Sequence, residues 1–134
     1  MTVDKQVLKV GPFKDVIPDA VRVGDEVYLS GAVSIGEDGA PLHAGDIFAQ
    51  MRQVYANIEA VLKQFDADLG NLVKETIFVT DVQSFTGSEE AIEQFAKIRA
   101  EVFGGYPEVA QSLVQVSDLV MPGLMIEIEA VARL

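Results

Sequence analysis

Two strand-like segments near the C-terminus, residues 109–116 and 124–134, carry the clearest alternation in the chain, and a short loop with Pro122 and Gly123 joins them. In the second segment Leu124, Ile126, Ile128, Ala130, Ala132 and Leu134 fall on one side of a period of two, and Met125, Glu127, Glu129, Val131 and Arg133 on the other. The first side is core. The second sets two carboxylates next to each other on a strand expected to be central, which solvation explains only if that face meets water. If another subunit covers the face, Glu127 becomes a candidate catalytic group. In the first segment Ala110, Ser112, Val114 and Val116 alternate with Val109, Gln111, Leu113 and Gln115, and Gln111 is expected to look into the same cleft as Glu127.

Upstream, residues 6–10 read as a short strand ending at Gly11-Pro12. Residues 20–23 and 26–30 flank Gly24-Asp25, which predicts a hairpin. Gly31 follows that second run directly, where a glycine lets the backbone bend or approach another group; a plain strand end is the competing reading. Steps of three and four then align Ile47, Met51, Val54, Ile58, Val61, Leu62 and Phe65, with Gln50, Arg52, Gln53, Asn57, Glu59 and Lys63 between them. This predicts an amphipathic helix over residues 46–65, with Asp46 as N-cap and Asp68-Leu69-Gly70-Asn71 as the stop. Residues 72–82, dense in β-branched and aromatic side chains, predict a strand. Thr86 and Glu89 have capping-box spacing ahead of a second helix whose stripe is Ala91, Ile92, Phe95, Ile98 and Val102. Gly104-Gly105 and Pro107 end it, and Lys97 and Arg99 are expected on its exposed face.

Strand, hairpin, helix, strand, helix and two strands imply an α+β fold, a mixed β-sheet with both helices on one face. The other face bears apolar Val109, Leu113, Met125 and Val131 beside polar residues, a mixture suited to a homo-oligomer interface with clefts between subunits. With 134 residues, 49% of them hydrophobic, the chain suits one domain over residues 1–134, and no linker or repeat divides it.

Composition narrows the chemistry. No apolar run approaches the roughly 20 residues of a membrane span, and residues 1–10 lack the apolar core of a signal peptide, so a cytoplasmic location without a membrane partner is expected. The absence of cysteine excludes disulfides and thiol chemistry. A net charge of −11 argues against nucleic acid, whose nonspecific affinity comes from Lys and Arg. His43 is the one histidine and reads as a solvated loop residue, which leaves only carboxylates for a hard cation, so no metal is expected.

Five stretches in order resemble the RidA (YjgF) family of reactive-intermediate deaminases: GPF at residues 11–13, LSGAVS at 29–34, AQMRQVYANIEAVL at 49–62, VKETIFVTDV at 73–82 and PGLMIEIEAVA at 122–132. Their order and spacing, more than any single piece, carry the likeness. The resemblance implies a chorismate-mutase-like fold and a homotrimer with three interface clefts. It also implies hydrolysis of enamine or imine acids, such as 2-aminoacrylate and 2-iminobutanoate, to the keto acid and ammonia without metal or organic cofactor. In that scheme a Glu on the last strand positions water, an Arg on the strand before it pairs with the substrate carboxylate, and backbone near the SG turn holds the substrate.

Residue by residue, Glu127 matches the water-positioning Glu and Gly31 the turn glycine. Phe13 stands where many members have Tyr, keeping an aromatic wall but losing a hydroxyl. Gln111 takes the place of the Arg and Leu113 that of a smaller residue, in PEVAQSLVQV where active members typically read PARS. A Gln amide donates a hydrogen bond but neither forks onto a carboxylate nor neutralises it, which raises the question whether Arg99, Arg22 or Arg52 substitutes. Two functions therefore stand side by side: a diverged imine or enamine deaminase in which Glu127 directs water, and a non-catalytic trimer binding a small molecule in the same cleft. For Glu127 and Glu129 the plain alternative is a solvated strand face or an ion pair with Arg133 or Arg99.

Overall fold

The structure is a computed structural model and describes residues 2–134; Met1, the first residue of the leader reading, lies outside the described residues. Its strands are β1 (Gln6–Leu8), β2 (Ala20–Val23), β3 (Glu26–Val33), β4 (Leu72–Val79), β5 (Ala110–Gln115) and β6 (Ile126–Arg133). The helices are α1 (Ile47–Lys63), a single turn α2 (Gln83–Thr86) and α3 (Glu89–Phe103). The six strands form one mixed sheet in the order β1-β2-β3-β6-β4-β5, antiparallel throughout except for the parallel pair β4 and β5. β6, the last strand in sequence, thus lies inside the sheet between β3 and β4. This is the expected α+β layer arrangement, with an additional turn of helix before α3.

Local chemistry explains most of the boundaries. Gly24, at φ +59°, makes the first residue of the β2–β3 turn. The carboxylate of Asp46 accepts from the Ala49 amide at 3.0 Å and starts α1 as expected. α1 stops at Lys63, earlier than expected, because Asp66 turns left-handed (φ +55°) and the Ala67 amide closes back on the Leu62 carbonyl. Asp68–Asn71 therefore builds a separate 3-10 turn with its own capping box instead of stopping the helix. Ser88, not Thr86, caps α3: its hydroxyl accepts from the Ala91 amide, whereas the Thr86 hydroxyl bonds back to the Val82 carbonyl within α2. Gly104, left-handed at φ +73°, ends α3 as anticipated.

Side chains alternate across the sheet, and α1 and α3 lie on one side of it. Val27, Leu29, Ile77, Val79, Ile126, Ile128, Ala130 and Ala132 form the sheet's share of the core, packed on Met51, Val54, Ile58 and Leu62 of α1 and Ile98 of α3. Inside that layer sits a charged cluster. Arg99 of α3 is buried, not on the exposed face of its helix as the sequence pattern suggested. Its guanidinium donates to the Glu75 carboxylate of β4 and, at 2.8 Å, to the Tyr55 hydroxyl of α1, which itself donates to Glu75 at 3.0 Å. Phe95 and Phe103 flank the guanidinium, with ring centroids 5.7 and 5.3 Å away. The physical reason is pairing: a cation enters such a layer only when a carboxylate and further hydrogen bonds meet it there. Burial and the neighbouring Glu75 charge push the Tyr55 hydroxyl upward in pKa, so it remains a neutral donor.

Removing one partner strands the other in a dry layer. Arg99→Met is expected to cost about 3–5 kcal/mol in urea unfolding, and the double variant Arg99→Met/Glu75→Leu to recover most of that loss. An equal loss in the double variant would show that the cost of Arg99→Met does not come from stranding Glu75.

Candidate active site on the open face of the sheet

The face turned away from the helices carries Glu127. Alternation along β6 requires this, since Ile126 and Ile128 point into the core. In the register, Glu127 lies beside Val33 of β3 and Phe78 of β4, and Phe78 lies beside Val114 of β5. The next row on the same face holds Glu129, Thr76 and Ser112. β3 reaches Glu127 through an irregularity between Leu29 and Ala32. Two residues, Ser30 and Gly31, are accommodated there, and the strand's side chains change face across them, so Val33 rather than Ala32 accompanies Glu127.

Gly31 is where the strand meets the carboxylate. A Cβ built on Gly31 would lie 2.6 Å from Glu127 Oε2 and 2.8 Å from its Cδ. The glycine's backbone φ is ordinary, so close approach, not strain, is what requires glycine here. The Ser30 hydroxyl donates to the Pro18 carbonyl at 2.6 Å and its amide to the Asp19 carbonyl, which ties this irregular stretch to the segment before β2. Glu127 is half-buried against Gly31, Val33 and Phe78. Burial, and secondarily the charge of Glu129, hold its carboxyl above the usual carboxylate range. Among the described residues neither carboxylate is ion-paired: the salt bridges are Arg52–Glu101, Lys63–Glu59 and Arg99–Glu75. Such a group can hold a water by hydrogen bonding and pass a proton.

The other candidate residues distribute unevenly. Phe13 lies in the turn after β1, 44% exposed, with its ring over Gly39 of the loop before α1. Gln111 and Leu113 stand on the opposite side of the sheet from Glu127. Their register partners are Glu75 and Ile77, Leu113 packs on the core, and neighbouring Gln115 accepts from the Val82 amide. Within one chain, then, Gln111 does not look into the cleft of Glu127. β5 runs parallel to β4 and takes its phase from it, and β4 turns Glu75, Ile77 and Val79 toward the helices. The three arginines considered as substitutes are occupied elsewhere: Arg99 with Glu75 and Tyr55, Arg52 with Glu101, and Arg22 with the Gly24 carbonyl. Arg133 shares the open face but lies at the far end of β6, in register with Glu26.

Two polar side chains that sequence reasoning passed over support this face from behind. Gln50 is fully buried on α1, and its amide bonds to the segment leading into β6. Asn57 Nδ2 donates to the carbonyls of Val33 and Ile35 at 3.0 and 3.1 Å, holding the end of β3 beside Glu127. The signal for Gln50 was positional: it is three residues from Ile47 on the apolar stripe itself. His43 lies in an exposed loop as expected, left-handed at φ +59°. Among the described residues no three His, Cys, Asp or Glu side chains are grouped to hold a metal, and no helix is long and apolar enough to cross a membrane.

Fold and site define an α+β sheet protein, helical on one face, with a half-buried, unpaired carboxylate on the other. The family model described as Endoribonuclease L-PSP matches residues 11–134, and the chain belongs to that family, the RidA (YjgF) family of the resemblance. A RutC family protein of Pasteurella multocida is 32% identical over 129 residues, 96% of this chain and 92% of that protein. The human 2-iminobutanoate/2-iminopropanoate deaminase is 30% identical over 123 residues, 92% of this chain and 80% of the human one. The crystal structure of the Rid-family protein YyfA from Yersinia pestis superposes with a TM-score of 0.82 at 33% identity, covering 98% of this chain and all of that one.

The raised carboxyl has a measurable signature. Because the folded chain holds the Glu127 proton more tightly than the unfolded chain, its contribution to stability is fully present below the unfolded value and is lost as pH rises through the folded one. Glu129→Gln is expected to lower the Glu127 titration midpoint in carboxyl-resolved NMR without returning it to the ordinary value, since burial, the larger cause, remains. An unchanged midpoint would remove Glu129 as a contributor.

Proposed function

We propose that this chain hydrolyses the C=N bond of a small imine or enamine in a cleft between subunits of a homotrimer, with Glu127 orienting the attacking water. One observation carries the reading: a half-buried carboxylate with raised pKa, free of any ion pair, is packed directly against the backbone of Gly31. Water adds to the imine carbon while Glu127 takes its proton. That proton passes to the nitrogen to give a carbinolamine; the hydroxyl proton of the carbinolamine then follows to the nitrogen as the C–N bond breaks, and a carbonyl compound and ammonia leave. Enamines enter by protonation at carbon. Such a reaction asks for an oriented water and a proton path, to which a carboxyl held above the usual carboxylate range is suited without metal or organic cofactor. The name of the human relative, a 2-iminobutanoate/2-iminopropanoate deaminase, supports the same class of substrate.

The trimer belongs to this proposal. The open face exposes Tyr28 and Val114 beside half-buried Val131 and is covered by no helix of its own chain. Gln111 and Leu113 lie on the other side of the sheet from Glu127, so a cleft using all the matched positions is assembled across copies: Gly31, Glu127 and Phe13 from one chain, Gln111 and Leu113 from another. A cytoplasmic site of action, suggested by the cysteine-free sequence, completes the reading.

A second reading has its own observation. The arginines considered as substitutes are engaged elsewhere, so, with Gln111 standing where the resemblance implies a carboxylate-binding Arg, an α-imino acid would meet no cation from them. On that reading the trimer binds a small molecule without turning it over.

The test is ammonia release from 2-iminobutanoate and 2-iminopropanoate generated in place, against a no-protein control. Wild type is expected to accelerate hydrolysis and Glu127→Gln to lose about 100-fold or more of that rate. Acceleration undiminished in Glu127→Gln would overturn the mechanism. No acceleration, with thermal-shift binding retained, would favour the second reading. Sedimentation equilibrium is expected to give three times the 14.5 kDa chain mass; a monomer would refute the shared cleft.

A further inference from the structure

We infer that Gln50 is a positioning residue for Glu127, acting through the backbone of Met125. The inference rests on the reading of Glu127 as the functional carboxylate, but its geometry stands apart from any activity.

The segment before β6 has no secondary structure from Val116 to Met125 except bends and a turn, and it must deliver Glu127, the second residue of β6, onto Gly31. On the helix side, Gln50 holds this approach. Its side chain is fully buried at the N-terminal end of α1, and its three hydrogen bonds are all to backbone. Nε2 donates to the Gly123 carbonyl at 2.8 Å and to the His43 carbonyl at 3.1 Å, while Oε1 accepts from the Met125 amide at 2.8 Å. The Met125 carbonyl accepts from the Thr80 amide at the end of β4. The Met125 residue is thus gripped from both sides, by α1 through its N–H and by β4 through its C=O, two residues before the carboxylate.

The same amide joins two otherwise separate stretches. Gly45 from the turn preceding α1, and Gly123, Leu124 and Met125 from the β6 approach, line a hollow of about 530 Å³ that Thr80 also borders. Gln50 bonds to the carbonyl of His43 on one side and to Gly123 and Met125 on the other, so one residue fixes both walls. A primary amide is the side chain that donates twice and accepts at once in this span. Glu at this position keeps only acceptors when ionised, and Met keeps the volume but none of the bonds. The cost of a freed backbone N–H falls on the approach to β6, because the Met125 amide spends its hydrogen bond on Gln50 Oε1.

The experiment compares wild type, Gln50→Met and a core variant, Ile58→Val, that destabilises α1 without touching these bonds. Backbone amide exchange is read at Met125 and Ile126, and the Glu127 carboxyl is titrated by NMR. In Gln50→Met, exchange at Met125 is expected to speed up by about tenfold or more beyond any change seen in Ile58→Val, reflecting local opening rather than global destabilisation. The Glu127 midpoint is expected to fall toward the ordinary carboxylate value in Gln50→Met only, as the strand end loosens and water reaches the group. Should Gln50→Met not fold, Gln50→Leu, which likewise removes the acceptor for the Met125 amide, serves with the same expected direction. Met125 exchange and the Glu127 midpoint tracking the core variant would overturn the inference. These readouts need no turnover. A wild-type chain inactive on every imine would defeat the proposed function while leaving the positioning role standing, and an active chain with an unmoved Glu127 midpoint would do the reverse.

Discussion

The structure depends on a six-stranded sheet that its own helices cover on one side only. That constraint explains the amino-acid pattern of β6. As a strand between two neighbours it cannot hide its second face at an edge, so it alternates Ile126, Ile128, Ala130 and Ala132 toward the helices with Glu127, Glu129, Val131 and Arg133 toward the open side. Every feature of the candidate site follows from where that open side meets the irregularity in β3. The one extra residue accommodated at Ser30-Gly31 swings the strand so that a glycine backbone, rather than a side chain, lies against the Glu127 carboxylate. Apolar Val33 and Phe78 on either side withdraw it partly from water. Its chemical character is therefore a product of backbone irregularity and strand order, more than of any charged neighbour.

The polar groups within the helical layer perform a different task. Tyr55, Glu75 and Arg99 satisfy one another between α1, β4 and α3, while Gln50 and Asn57 spend their amides on carbonyls and an N–H of the strand ends. No buried side-chain nitrogen or oxygen among the described residues is left without a partner. Buried pairs of this sort contribute little net stability over apolar replacements, but they penalise misplacement strongly, since a misregistered helix leaves charges and amides unpaired. The helices are thus docked on the sheet in one way, and the irregular segments that flank Glu127 are held from the side on which packing alone would be least directional.

Much of this was legible in the sequence because it follows from periodicity. The alternation of β6, the Gly24-Asp25 hairpin, the Asp46 cap and the left-handed end of α3 at Gly104 are local, and local rules found them. The closeness of Gly31 to Glu127 was hinted at by a glycine next to a β-prone run, but the distance itself comes from strands almost a hundred residues apart in the chain. What the sequence pattern missed shares one cause. Arg99 lies four residues from Phe95 and Gln50 three from Ile47, both on apolar stripes, and a polar residue on a stripe is buried only if a partner elsewhere receives it. Glu75, 24 residues from Arg99, and Met125, 75 from Gln50, are those partners, and no local rule joins them. The face of Gln111 was misjudged for a related reason: alternation gives the spacing of a strand, while its phase is set by the neighbour, here the parallel β4.

The central claim is that Glu127 faces a ligand-accessible cleft and is not a structural carboxylate. A crystal structure of the assembled oligomer, at a resolution that shows ordered water, tests it most directly. The account predicts a solvent-filled cleft in front of Glu127, with water hydrogen-bonded to its carboxylate above the Gly31 backbone and with Gln111 and Leu113 of a neighbouring copy across from it. A Glu127 carboxylate paired with an Arg or Lys of the neighbouring copy, in a closed and dry interface, would contradict it.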